Sequence, residues 1–186
     1  MVNGLLWESE MLGSFITKMC ECKGDLEIEI SDSHLVWNFD DVARKCISEE
    51  NCPNTADCLF IINDAVIFLE FKRWRCSAEE KEKEMERKLR DKVTDSALLY
   101  WRCLSGCKEF FGKNVEFWIV TDQPSKEIRN TQNRHANITA SPIPDFLKRF
   151  RVMINGEPLY FNKICYFTCS DFKAHMNKLR ISCPCN

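Results

Sequence analysis

Glycine and proline are scarce, six of each in 186 residues, and neither clusters. That excludes a flexible linker or a low-complexity tract, and there is no internal repeat. No apolar run approaches the roughly 18 residues needed to cross a bilayer; the longest candidates, 65–69 and 115–120, are cut short by charge. An integral membrane protein is therefore not expected. The first ten residues carry Glu8 and Glu10 but no basic start and no extended apolar stretch, so a secretory leader is not expected either. We expect an intracellular chain, in cytoplasm or nucleus. Histidine is rare: His34 and His135 are isolated, and neither stands in a pattern that suggests a hydrolytic triad.

What is present suits one compact unit. The chain is 45% hydrophobic and 29% charged, enough apolar material for one well-buried domain spanning 1–186 and too little for two ample ones. The net charge of −2 conceals an asymmetry: residues 1–121 hold 16 basic and 23 acidic side chains, residues 122–186 hold 10 and 5. A basic C-terminal third can face a polyanion or merely balance an acidic front. Twelve cysteines, in a chain read as intracellular, are expected as reduced thiols. Cys58, inside an apolar run, acts as a small hydrophobe.

The periodicities describe a mixed α/β domain. Met11, Leu12, Phe15, Ile16 and Met19 fall at helical spacing, predicting a helix over 8–22 with Gly24 just past its end. Leu26 to Ile30 alternates in strand fashion, and 36–46 is ambiguous. Two β-rich runs, 56–62 and 65–71, flank Asn63-Asp64, residues that tolerate the positive φ of a tight turn, and predict a hairpin. Ser77 with Glu80 forms a capping box opening a long helix to about Leu104, charged first and apolar later. Residues 115–121 form another β-rich run. The tail reads as a short helix after Pro142, a hairpin through Asn155-Gly156 and a final helix near 170–179. This order describes a central mixed sheet flanked by helices, with a core over about 5–121 and a basic α+β extension over about 140–186.

The hairpin carries the chemistry. With Asn63 and Asp64 as the turn, antiparallel partners have numbers summing to 127, so Asp57 faces Glu70. Facing Cβ atoms lie roughly 4.5–5.5 Å apart. Lys72, two positions on, points to the same side. Opposed carboxylates repel unless something positive lies between them, and a divalent cation resolves the conflict. Mg²⁺ is commonly held by one or two carboxylates together with waters and substrate phosphates. Lys72 beside it can orient or deprotonate a water, or neutralise charge developing on a phosphoryl group. A purely structural reading makes Glu70 and Lys72 a solvated edge pair. Against it, Leu59, Ile61, Val66 and Phe68 on the same face are apolar, and so are Phe60, Ile62, Ile67, Leu69 and Phe71 on the other.

The stretch from Asp57 to Lys72 resembles the signature of the PD-(D/E)XK nuclease superfamily, with Asp57 as the isolated acid and Glu70-Phe71-Lys72 as the E-x-K element. The order of elements is also similar to that family's restriction-endonuclease-like core: a helix, a three-strand meander, a crossing helix and a fourth strand. Ala56 departs from the pattern where the name places proline, and Pro53 is out of register. The resemblance implies a metal-dependent endonuclease that hydrolyses phosphodiester bonds with Mg²⁺ or Mn²⁺, with DNA favoured over RNA, which some members of the superfamily cut. It implies catalytic roles for Asp57, Glu70 and Lys72, with Asp57 and Glu70 holding the metal. A helix-one glutamate would join the shell, Glu10 preferred over Glu8. A basic residue of the crossing helix, Lys88 or Lys92, is the further candidate, and Lys92 is grouped with the nucleic-acid contacts.

Arg73 and Arg75 are placed to meet phosphates, with Trp74 between them assigned to the core, and Lys148, Arg149 and Arg151 form the densest basic cluster of the tail. Cys165, Cys169, His175, Cys183 and Cys185 are a rival metal set. Their spacing lacks tight C-x-x-C pairs, which makes an iron–sulfur cluster or Zn²⁺ the lesser expectation. A homodimer fits two-strand cleavage. The alternative from another class is a catalytically inactive nuclease-fold module that binds nucleic acid or protein.

Overall fold

The computed structural model describes residues 12–47, 53–73, 79–107, 110–122, 153–154, 157–158 and 160–179, with backbone alone at 79–82, 153–154 and 157–158. Its centre is a six-stranded mixed sheet in the order β1-β2-β3-β4-β5-β8. The strands are β1 (Ile16–Lys18), β2 (Leu35–Asn38), β3 (Cys58–Ile62), β4 (Ala65–Lys72), β5 (Asn114–Thr121) and β8 (Lys163–Thr168). A separate two-stranded ribbon joins β6 (Met153–Ile154) to β7 (Glu157–Pro158) around the expected Asn155-Gly156 turn, whose own residues lie outside the described set. The helices are α1 (Met19–Cys22), α2 (Phe39–Cys46), α3 (Glu79–Leu99) and α4 (Cys169–Met176), with a π-helical turn over Tyr100–Leu104 prolonging α3.

The β3–β4 hairpin forms in the expected register, Cys58 opposite Leu69 and Ile62 opposite Ala65. Asn63 and Asp64 adopt φ of 43° and 65°, the left-handed pair that lets a two-residue turn match strand twist. Seven of the eight residues of β4 are buried. Leu59, Val66 and Phe68 pack against α2 and α3, while Phe60, Ile67, Leu69 and Phe71 pack against Met19, Leu26, Ile28 and α4. Phe68 is the hub of the first layer, with ring contacts to Phe39, Tyr100, Phe117 and Phe161. α3 presents Leu89, Val93, Ala97, Tyr100 and Leu104 to that layer. It crosses back so that β5 runs parallel to β4, and β8 adds parallel to β5.

Three readings are corrected. The helix predicted over 8–22 does not continue through 16–18: that segment is β1, paired antiparallel with β2, and only one helical turn, Met19–Cys22, follows. Gly24 then takes φ of 53°. Leu26 to Ile30 alternates inward and outward but joins no strand ladder. The C-terminal segment is not merely an extension, because β8 is the sixth strand of the central sheet. The ambiguous 36–46 stretch is a strand running directly into a helix whose first turn is capped by Asn38 Oδ1, accepting from the Asp41 amide at 3.2 Å. The capping box at Ser77 and the short helix after Pro142 fall outside the described residues. The eight described cysteines carry no disulfide. Among the described residues no helix is long and apolar enough to cross a membrane.

Candidate active site

Asp57 lies one residue before β3, where the hairpin register carried outward sets it opposite Glu70. Its carboxylate extends the pairing: Oδ2 accepts from the Phe71 amide at 2.7 Å, closing the end of the hairpin. The other oxygen, Oδ1, accepts from Lys92 Nζ at 3.0 Å. The same ammonium donates to Glu70 Oε2 at 2.6 Å. Glu70 is 1% exposed, while Asp57 and Lys92 are 19% and 18% exposed at their side chains. Two carboxylates therefore converge on one cation at the edge of the core.

Lys92 is held there by the way α3 docks. One turn further along the helix, Asp95 Oδ2 accepts from the Asn54 amide at 3.0 Å and buried Ser96 Oγ accepts from the Ala56 amide at 2.9 Å. Together with the Lys92–Asp57 pair, these bonds stitch the helix to the chain entering β3. The opposite side of that segment is fastened to α2 by Thr55 Oγ1 donating to Asp40 at 2.7 Å and by the Phe39 amide donating to the Asp57 carbonyl at 3.2 Å.

The electrostatics follow from two acids sharing one base in poor contact with water. Burial pushes the Glu70 carboxyl well above its usual range, and the Asp57 charge pushes it further; Lys92 opposes both. Asp57 is raised as well, chiefly by burial, against the pull of Lys92 and of the Phe71 amide. Burial disfavours the charged form of Lys92, yet the Glu70 and Asp57 charges outweigh it and hold the ammonium on. Cys58, adjacent in sequence, faces the opposite layer, where burial raises its thiol well up with the Cys22 thiol adding to the effect.

Lys72 shares the Glu70 face by strand alternation and is half-buried, opposite Thr121 in the parallel ladder. Among the described residues it makes no ion pair or hydrogen bond, although its charge acts on Glu70. Thr121 Oγ1 donates to Tyr166 OH at 3.2 Å, and burial pushes that phenol up to about 12. This buried hydroxyl pair beside Lys72 was not singled out from sequence. The same-face parity of Thr121 in its strand pointed to it, but the pairing with β8 had no local signal. Lys88 does not reach the site and pairs with Glu84 at 2.8 Å.

Arg73, expected to meet phosphates, is engaged by acceptors of its own chain: the Asp25 carbonyl at 3.1 Å, Glu27 at 3.2 Å and Asp122 at 3.6 Å. Glu8, Glu10, Trp74, Arg75, Lys148, Arg149 and Arg151 lie outside the described residues. In the rival cysteine set, Cys165 is buried, the His175 ring stacks on Phe167 at 5.3 Å, and Cys183 and Cys185 are outside the described residues. Among the described residues no group of three or more His, Cys, Asp or Glu could hold a metal ion.

Asp57 and Glu70 supply two hard oxygen donors already converging on a single positive charge, a donor set that suits Mg²⁺ or Mn²⁺ completed by water. No family model matches the chain, and no curated protein or solved structure matches it.

Proposed function

We propose that this chain is a divalent-metal-dependent endonuclease on a restriction-endonuclease-like core, hydrolysing phosphodiester bonds, with DNA favoured over RNA as substrate. The observation that carries this reading is the buried Glu70 and half-buried Asp57 carboxylates facing each other at the end of the β3–β4 hairpin with one cation between them. The hairpin β3-β4, the crossing helix α3 and the parallel β5 follow the element order that the resemblance implies, while α2 intervenes between β2 and β3. Charged groups at the end of so apolar a hairpin call for a reason beyond folding.

In this reading Asp57 and Glu70 hold Mg²⁺ or Mn²⁺, with Glu10 as the third acid. The bound metal would supply Lewis-acid polarisation of the phosphoryl oxygens. Asp57 divides its two oxygens between the Phe71 amide and the cation position, so its orientation is fixed before any ligand arrives. Lys72, on the same face and without an ion pair among the described residues, orients the attacking water and offsets charge building on the phosphoryl group. Thr121 and Tyr166 border it on the β5 side. Arg73, Arg75, Lys148, Arg149 and Arg151 are the proposed phosphate contacts, and a homodimer would serve cleavage of both strands.

The test incubates wild type, Asp57→Ala and Lys72→Ala with single-stranded, duplex and branched DNA and with RNA, in Mg²⁺, Mn²⁺ and EDTA. Metal-dependent cutting lost in both variants is the expected result. A second reading has one observation in its favour: Lys92 already offsets part of the charge of the carboxylate pair, as a structural triad in a catalytically silent module would have it. That reading predicts no Asp57-dependent Mn²⁺ binding and no cutting of any substrate.

A further inference from the structure

Two acids and one amine leave a formal charge of −1 in a site where Glu70 is 1% exposed. A divalent cation in the amine's place neutralises the two carboxylates, with Lys72 on the same face a further positive charge outside that sum. Amine and divalent cation together would leave an excess positive charge and set two cations a few ångströms apart, where repulsion in a partly desolvated site is strong. Mg²⁺ also needs its carboxylate oxygens at about 2.0–2.1 Å. The Lys92 ammonium already takes Asp57 Oδ1 at 3.0 Å and Glu70 Oε2 at 2.6 Å, so the two cations compete for the same lone pairs.

We propose that Lys92 is a displaceable counter-ion, occupying the cation position in the metal-free protein and expelled toward solvent when Mg²⁺ or Mn²⁺ enters. The inference rests on the metal-dependent reading of this site. Three features of the chain favour expulsion over co-residence. Lys72 already brings a positive charge to the same face. The Lys92 side chain is 18% exposed, so part of it reaches solvent, and its flexible four-carbon stem gives the ammonium a route outward. The helix itself stays anchored through Asp95 and Ser96, whose bonds to the Asn54 and Ala56 amides do not involve Lys92. Expelled, the ammonium stands beside the carboxylates on the open side of the site, where a substrate phosphate approaching the metal would meet it. Metal loading would thus convert an internal counter-ion into an external phosphate contact, so that the chain offers its full positive charge to a polyanion only once metal is bound.

The experiment measures Mn²⁺ binding calorimetrically for wild type, Lys92→Met and Asp57→Asn, and in parallel follows acetylation of individual lysines in the wild type by mass spectrometry with and without Mn²⁺. Lys113, ion-paired to Asp64 at the far end of the hairpin, serves as internal reference. The expected result is Mn²⁺ binding at least tenfold tighter in Lys92→Met, together with acetylation of Lys92 at least fivefold faster in Mn²⁺ while Lys113 is unchanged. Unchanged or slower labelling of Lys92 in a wild type that binds Mn²⁺ through Asp57 overturns the displacement and leaves the metal reading standing. Absence of Asp57-dependent Mn²⁺ binding overturns both. If Lys92→Met does not fold, the labelling of the wild type decides alone.

Discussion

Glu70 is the residue whose replacement separates stability from the proposed chemistry. In the metal-free protein it is 1% exposed, shares the Lys92 ammonium with Asp57, and has its carboxyl pushed well up by burial and by the Asp57 charge. Glu70→Gln keeps the shape and an oxygen able to accept from Lys92, and it leaves Asp57 and Lys92 as a balanced one-to-one pair. Losing a charged hydrogen bond costs about 1.5–3 kcal/mol, while removing an ill-solvated charge and its repulsion returns more. We expect a net gain on the order of 1–2 kcal/mol at pH 8 in EDTA, or roughly 2–8 °C in midpoint for a chain of this size. The sign of the pH dependence follows. An acid whose folded pKa exceeds its unfolded value keeps its proton longer in the native state, so the wild type loses stability as pH rises from the unfolded value toward the folded one. Glu70→Gln has no such loss, and its advantage should grow between pH 5 and pH 8. Urea melts in EDTA at several pH values measure the difference, and Mn²⁺ should protect the wild type but not the variant. A variant less stable than wild type at pH 8, or an advantage that does not change with pH, refutes the description of Glu70 as a strained acid.

Phe68→Ala removes the ring that touches four other rings at the centre of the sheet, and a loss of about 3–5 kcal/mol is expected in chemical denaturation; a loss below about 1 kcal/mol would show that the first layer repacks freely. Asn63→Val forces a β-branched residue to φ near 43° and should cost about 1–2 kcal/mol, whereas Asn63→Gly should be close to neutral, and equal effects from the two would refute the turn argument. Burial lowers His34, and burial with Lys163 and Lys178 lowers His175; the unfolded chain then takes up more protons below about pH 6.5, so these residues erode stability as pH falls. The double variant His34→Gln/His175→Gln should show a shallower loss from pH 7.5 to pH 5.5, and an unaltered slope would count against it. Arg73→Gln should leave stability within about 1 kcal/mol, since its Glu27 partner is 86% exposed. If Arg73 leaves that partner for a phosphate, the same change lowers the salt slope of DNA binding by about 0.9, and an unchanged slope removes Arg73 from the interface.

The parts legible in the sequence are those set by local rules. The hairpin register follows from alternation and from Asn63-Asp64, and it alone brings Asp57 to Glu70. Parity along β4 then sets the side of Lys72. Where partners are distant in sequence, local pattern misleads. Phe15, Ile16 and Met19 have helical spacing, yet Ile16–Lys18 is drawn into an edge strand by Leu35–Trp37; tertiary pairing outweighs periodicity over so short a run. Leu26 and Ile28 do bury every second side chain, but among the described residues no strand lies alongside to complete a ladder, and the outward acids pair instead with Arg73 and Lys173. β8 is buried along Ile164–Phe167 on both faces, as a parallel strand tends to be, and lacks the alternation that would announce it. Lys92 was separable from Lys88 by helix phase: at about 100° per residue it lies nearer than Lys88 to the stripe through Leu89, Val93 and Ser96. The docking of α3 on 54–57, a contact across some forty residues, then fixes Lys92 in the site.

Three independent constraints therefore meet at one spot: hairpin register places the two acids, strand parity places Lys72, and helix phase with two amide-accepting side chains places Lys92. None depends on the others, so a chain needing only a stable sheet end could have satisfied any one of them with an apolar residue. β4 is buried at seven of eight positions, and an ionised carboxylate at its sixth residue, Glu70, is costly there unless opposite charge accompanies it. A structural solution needs one acid and one base. This site has two acids bonded to one amine, so the Asp57–Glu70–Lys92 group carries one negative charge that no ion pair among the described residues offsets, and Lys72 acts on it only from a neighbouring position of the same face. A divalent cation in place of the Lys92 ammonium would neutralise the two carboxylates. The group sits at the carboxyl end of β4 beside those of β5 and β8, the edge of an open sheet where loops converge and ligands are usually received. Glu70→Gln would abolish that negative charge, so under the proposed metal-dependent reading a stability gain in that variant and a loss of Mn²⁺ binding should arrive together, and either without the other would break the link between strain and proposed function.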